Sequence, residues 1–103
     1  MRVLRKTALT ADPTLGNYSQ IKTGERVQIY AAASAADDVR LRIMIGGAEL
    51  ADVNNVGIEA VAGRGPVVPD DLVADYMHVR PDDELNISVT RTAASVDILL
   101  VIV

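Results

Sequence analysis

Val39-Arg-Leu-Arg-Ile-Met-Ile45, followed by Gly46-Gly47, decides the fold. Apolar side chains stand at 39, 41, 43 and 45, with Arg40, Arg42 and Met44 between them. A repeat of two is the side-chain period of an extended strand with one face against a core and one toward water. Two consecutive glycines accept the positive φ angles that a tight reversal demands, so a hairpin is predicted after Ile45.

Working outward, the same period recurs. Val27 and Ile29 alternate with Gln28 and Tyr30, and Leu85, Ile87 and Val89 alternate with Asn86, Ser88 and Thr90. Val56–Ala62 carries a less regular version. Asp71–Val79 alternates poorly, but its β-branched residues and the Arg80-Pro81 step favour a strand over a helix. Asn54-Asn55, Gly63-Arg-Gly-Pro66 and Pro81-Asp-Asp83 are turn or loop signals. Tyr30–Asp38, YAAASAADD, is rich in alanine and reads three ways: a short helix, a helical turn, or a strand entering a loop. Several short strands with almost no helical period predict an all-β chain, a β-sandwich of jelly-roll type with an extended N-terminal arm over residues 1–24 and the sandwich over 25–103.

The last segment, Ser95-Val-Asp-Ile-Leu-Leu-Val-Ile-Val103, departs from the pattern. Val96, Ile98, Leu100 and Ile102 make one face. Asp97, Leu99, Val101 and Val103 make the other, apolar after its first member. Its six-residue apolar run is far short of the ~20 residues of a spanning helix. A strand greasy on both sides needs cover on both. The N-terminal segment or a neighbouring subunit is expected to supply it, and Leu99, Val101 and Val103 are the candidate subunit interface.

Composition narrows the function. The 103 residues make one domain, with three tyrosines, no Phe, no Trp and no Cys, so the core is aliphatic and neither a disulfide nor a thiolate metal site exists. The N-terminus begins basic and lacks an apolar stretch long enough for a signal peptide. Charge is uneven: net +3 over residues 1–26, −2 over 27–65 and −5 over 66–103, which sum to the total of −4. An acidic chain with few aromatics is a poor nucleic-acid binder, and without a basic amphipathic helix it is a poor membrane binder. The basic leading residues Arg2, Arg5 and Lys6 suit contact with an acidic surface, or an ordinary first strand with solvated charges.

No catalytic, cofactor or metal site is expected. His78 is the only histidine, and neither Ser88 nor Ser95 sits in a nucleophile elbow. Asp70, Asp71 and Asp75, and Asp82, Asp83 and Glu84, lack calcium-loop spacing and read as solvated turn charge. Gly63-Arg-Gly-Pro66 lacks the lysine and hydroxyl of a phosphate loop and reads as a loop tip presenting Arg64.

The second half resembles the small β-sandwich decoration, or cement, proteins of tailed bacteriophages. The residues that carry the likeness are Pro81-Asp-Asp-Glu-Leu85, a turn entering a strand with Asp where the family pattern has Gly, the polar loop Thr92-Ala-Ala-Ser95, and the closing strand Val96–Val103. The opening segment, rich in Thr, Ala, Asn and Gly, looks like such a protein's arm. The resemblance implies a non-enzymatic virion protein without cofactors, a homotrimer on the outer capsid surface, with the major capsid protein as partner and Arg2, Arg5 and Lys6 touching the lattice. Two alternatives stand beside it. A carbohydrate- or receptor-binding β-module normally displays aromatics, and a cupin-like enzyme normally needs several histidines.

Overall fold

A computed structural model describes residues 1–13, 21–59, 61 and 63–103. Seven strands form in chain order: β1 (Arg2–Leu9), β2 (Val27–Ala33), β3 (Arg40–Ile45), β4 (Ala48–Asn54), β5 (Leu72–Tyr76), β6 (Leu85–Thr90) and β7 (Val96–Ile102). There is no helix among the described residues. The strands make two antiparallel sheets, one of four strands in the order β1-β7-β2-β5 and one of three in the order β4-β3-β6.

The alternating segments became strands with the faces their period assigns. Leu41, Ile43, Leu85 and Ile87 are buried in the core between the sheets, while Arg40, Arg42, Asn86 and Ser88 are exposed on the far side. Gly46 and Gly47 have φ of 58° and 80° and close the β3–β4 hairpin, with Ile45 opposite Ala48. Asp71–Val79 supplies β5. The alanine-rich segment is a strand running into a loop: Tyr30–Ala33 completes β2 and Ser34–Ala36 turn away from it. Burial on both faces outweighs the helix preference of the alanines there, because tertiary packing overrides a propensity worth only tenths of a kcal/mol per residue. Val56–Ala62 yields one isolated parallel bridge, Ile58 with Ala33, and Ala60 and Ala62 fall outside the described residues.

Of the segment expected to be an arm, Arg2–Leu9 is the edge strand β1, paired along β7 with Leu4 in the core. Residues 14–20 lie outside the described residues. The core is aliphatic, with Ile29, Leu41, Ile43, Ile98, Leu100 and Ile102 the largest fully buried side chains. Each contributes roughly 1.5–3 kcal/mol by leaving water.

Candidate interaction surface

The two outer faces of the sandwich differ. That of the three-stranded sheet is charged. Arg40 grips Asp52 through two nitrogens at 2.8 and 2.5 Å, and Arg42 reaches Glu49 at 3.3 Å. Asn86, Ser88 and Thr90 continue it. This is an ordinary hydrated face, and its ion pairs are worth little.

The outer face of the four-stranded sheet is mixed, with Val3, Leu99, Val101 and Val103 beside Arg5, Gln28 and Asp97, and divides into two halves. Across the upper half lies a strap formed by the described residues of the β4–β5 connection. It starts beside the end of β2, where the Ala33 amide donates to Gly57 O at 2.7 Å and the Glu59 amide donates to Ala33 O at 2.9 Å. At Gly65 it meets the Arg5 side chain, which extends from edge strand β1 and whose guanidinium nitrogen would stand 3.6 Å from a Cβ there. It returns to β2 at Asp71, whose carbonyl accepts from the Ala31 amide at 3.1 Å. Gly65 and Pro66 are buried in this crossing. Beneath it Tyr30, Ala32 and Leu99 point away from the core, yet they are only 2, 0 and 5% exposed.

The last strand is therefore greasy on both sides for a reason that lies within the chain. The strap lies on the Leu99 side of the sheet, and Arg2–Leu9 of the N-terminal segment forms the adjacent strand β1. The lower half of the same face is open. Val3 on β1 stands opposite Val101 on β7, and Val101 opposite Gln28 on β2. One step on, Val103 and Arg26 exchange backbone hydrogen bonds at 2.9 and 3.0 Å. Val101 is half-buried, and Val3 and Val103 are 47 and 62% exposed. Arg26 clasps Asp75 with two nitrogens at 3.0 and 2.6 Å. That contact raises the arginine and lowers the aspartate, so the pair stays ionised.

Of the three candidate interface residues, then, the fold brings Val101 and Val103 to one open patch and sets Leu99 under the strap. Arg2, Arg5 and Lys6 do not form one cluster, because strand alternation splits them. Arg5 points to the strap side, and Arg2 and Lys6 take the side of Leu4. Arg2 reaches Glu25 at 2.6 Å, and the same Glu25 carboxylate accepts the Lys22 amide.

The other chemical candidates sit apart. His78 is exposed just beyond β5 beside Gly24, Ser88 is on the charged face, and the Ser95 amide donates to Ser34 Oγ at 3.0 Å. Asp71 accepts the Val67 amide at 2.7 Å, and Asp83 accepts the Tyr76 hydroxyl at 2.9 Å and the Arg80 amide at 2.8 Å. Asp71 and Asp83 thus tie down turns, and Asp75 pairs with Arg26. No three of the metal-ligating types converge among the described residues. Arg64 is exposed on the strap. Tyr30 is buried, Tyr76 half-buried, and Tyr18 outside the described residues.

No protein family, curated protein or solved structure matches the chain.

Glu59 and Asp97 differ from the surface acids. Both are buried, at 8 and 7% exposure, and their carboxyl groups meet. The signal was there to read: each is a lone acid inside an apolar run, Val56-Gly-Ile-Glu-Ala-Val61 and Val96-Asp-Ile-Leu-Leu100.

Proposed function

We propose that this chain is a non-enzymatic structural protein that self-associates through the four-stranded-sheet side and decorates a viral capsid from outside. The observation that carries the reading is one-sidedness. Met1, Val3, Ile58, Val61, Val68, Leu72, Met77 and Val103 are the exposed large hydrophobics among the described residues. All belong to the four-stranded sheet, its strand ends or the strap across it, and the charged sheet contributes none. Scattered exposed hydrophobics need no explanation, but a one-sided set marks a contact surface. The proposed occupant is a neighbouring copy of the chain, which the apolar residues Val3, Val101 and Val103 would contact around a closed ring.

The strand order supports a jelly roll. That fold rolls an eight-stranded antiparallel ribbon into two sheets, pairing first with eighth, second with seventh, third with sixth and fourth with fifth. Without the second strand the two sheets read first-eighth-third-sixth and seventh-fourth-fifth. Renumbered, these are the observed β1-β7-β2-β5 and β6-β3-β4. Among the described residues no strand pairs with the outer edge of β6, the position a second strand of a jelly roll would take, and there Asp12 accepts the Val89 amide at 2.8 Å. The trimer, the virion location and the major capsid protein as partner rest on the likeness of the turn at Pro81, the loop at Thr92 and the closing strand to phage decoration proteins. In that arrangement Val101 and Val103 lie in the subunit seam, and Arg2, Arg5 and Lys6 on edge strand β1 make the lattice contacts, Arg5 from one side of the strand and Arg2 and Lys6 from the other.

Light scattering on the purified chain tests self-association, with a mass three times the 11.0 kDa chain expected. A monomer at micromolar concentration overturns it. Mass spectrometry of purified virus particles tests the location: a stoichiometric amount of the chain supports the capsid role, and its absence refutes that role.

A further inference from the structure

Glu59 and Asp97 come together by register. Asp97 stands opposite Ala32 across the β2–β7 ladder, and Glu59 is bonded to Ala33 next along β2. The minimal side chain of Ala32 lets the two acids meet above it. Glu59 Oε2 accepts the Gly63 amide at 2.9 Å, and Asp97 Oδ1 accepts the Ala8 amide at 2.7 Å. Glu59 Oε1 is buried and no donor from the described residues reaches it.

Two ionised carboxylates are acceptors only, so neither can satisfy the other, and Glu59 Oε1 is out of reach of water. One proton between them removes the repulsion and gives Oε1 its hydrogen bond. We propose that Glu59 and Asp97 share a single proton, and that this proton latches the strap onto the sheet, so that its loss lifts the strap from Tyr30, Ala32 and Leu99.

The surroundings fit. From β1 come the Ala8 amide and, at the far side of the crossing, the Arg5 guanidinium. From the strap come the amides of Gly63 and Gly65 and the exposed Arg64. From β2 come Ala32, which is uncharged, and Tyr30, whose hydroxyl is turned to Gln28 at 3.3 Å. The amides and cations favour the first ionisation of the pair and offer a second negative charge much less. Contact with Asp97, and then burial, push the Glu59 carboxyl up, and the Gly63 and Gly65 amides oppose this. The folded value is above the unfolded one. The latch is therefore full below the ordinary glutamate range of about 4.3 and is lost as pH rises through the folded value. It is a property of the single chain, independent of self-association. The surface it guards continues the open patch at Val3 and Val101.

Carboxyl-carbon NMR titration of the full chain from about pH 4 to about pH 9 reads the pair directly. Amide exchange, corrected for intrinsic rates, reads the strap. One carboxyl is expected to titrate above the ordinary carboxylate range. In the same step the Gly63 and Gly65 amides should lose about tenfold in protection relative to Ile43 in the core. Glu59→Gln keeps a donor toward Asp97 and should hold the strap at every pH, and Asp97→Asn does the same from the other side if Glu59→Gln does not fold. Ordinary titration of both acids, or a pH-dependent step surviving in the folded variant, overturns the latch.

Discussion

Asp97 Oδ1 accepts the amide proton of Ala8 at 2.7 Å, joining residues 89 positions apart. The bond sits at an irregularity in the β1–β7 ladder. Between the pairs Lys6–Ile98 and Leu9–Val96, the two residues Thr7 and Ala8 oppose the single residue Asp97. This is a β-bulge, and Ala8 adopts a φ of 54° to make it. The side chain of Asp97 replaces the ladder bond that the bulge removes.

That geometry predicts opposite effects at its two ends. Ala8→Gly removes the cost of a Cβ at positive φ, roughly 1–2 kcal/mol less the extra entropy of the unfolded glycine, and should raise the urea midpoint. Asp97→Ala strands the Ala8 amide and removes the partner of Glu59, and should lower stability by about 1–3 kcal/mol.

Asp37 predicts an acid-sensitive step. Its Oδ2 accepts the amides of Ala93, Ala94 and Thr92 at 2.7, 2.9 and 3.0 Å, clamping the β6–β7 turn. Those bonds, the Ala93 amide first and Ala94 next, hold the carboxyl down to about 2. A folded value below the unfolded one gives stability that is present above the ordinary aspartate range of about 3.9 and is lost as pH falls toward the folded value. Urea midpoints of the parent chain and Asp37→Asn should therefore differ at neutral pH and converge in acid.

Leu99 and Val103 belong to the same face of β7 but should respond differently to a charge. Leu99→Asp buries an unpaired carboxylate beneath the strap and should destabilise the chain by more than about 3 kcal/mol, seen as a large fall in melting temperature. Val103→Asp leaves its charge in water. It should preserve the melting temperature of the isolated chain and shift light-scattering mass toward the monomer.

Gly46 and Gly47 both carry positive φ, yet only one is crowded. A Cβ on Gly46 would collide with the Asp83 carboxylate, which also accepts the Tyr76 hydroxyl and the Arg80 amide. A Cβ on Gly47 would meet nothing within 4 Å. Gly47→Ala should cost the backbone strain of about 1 kcal/mol, and Gly46→Ala measurably more in chemical denaturation.

The amino-acid order by itself determined the strands and their faces. Alternation is a local property, so Val39–Ile45, Val27–Tyr30 and Leu85–Thr90 could be assigned an inside and an outside from side-chain period alone, and Gly46-Gly47 a reversal. It also revealed that β7 is apolar on two sides. What covers the second side was decided only in three dimensions. Gly63-Arg-Gly-Pro66 reads as a loop tip because glycine and proline report local backbone freedom, not where a loop comes to rest. Its crossing to Arg5 buries Leu99 without a partner and leaves Val101 and Val103 open. The meeting of Glu59 and Asp97 is of the same kind. Two lone acids in apolar runs are visible in the sequence, but contact between residues 38 positions apart depends on strand order and register. Those are set by the packing of the whole core, not by any one segment.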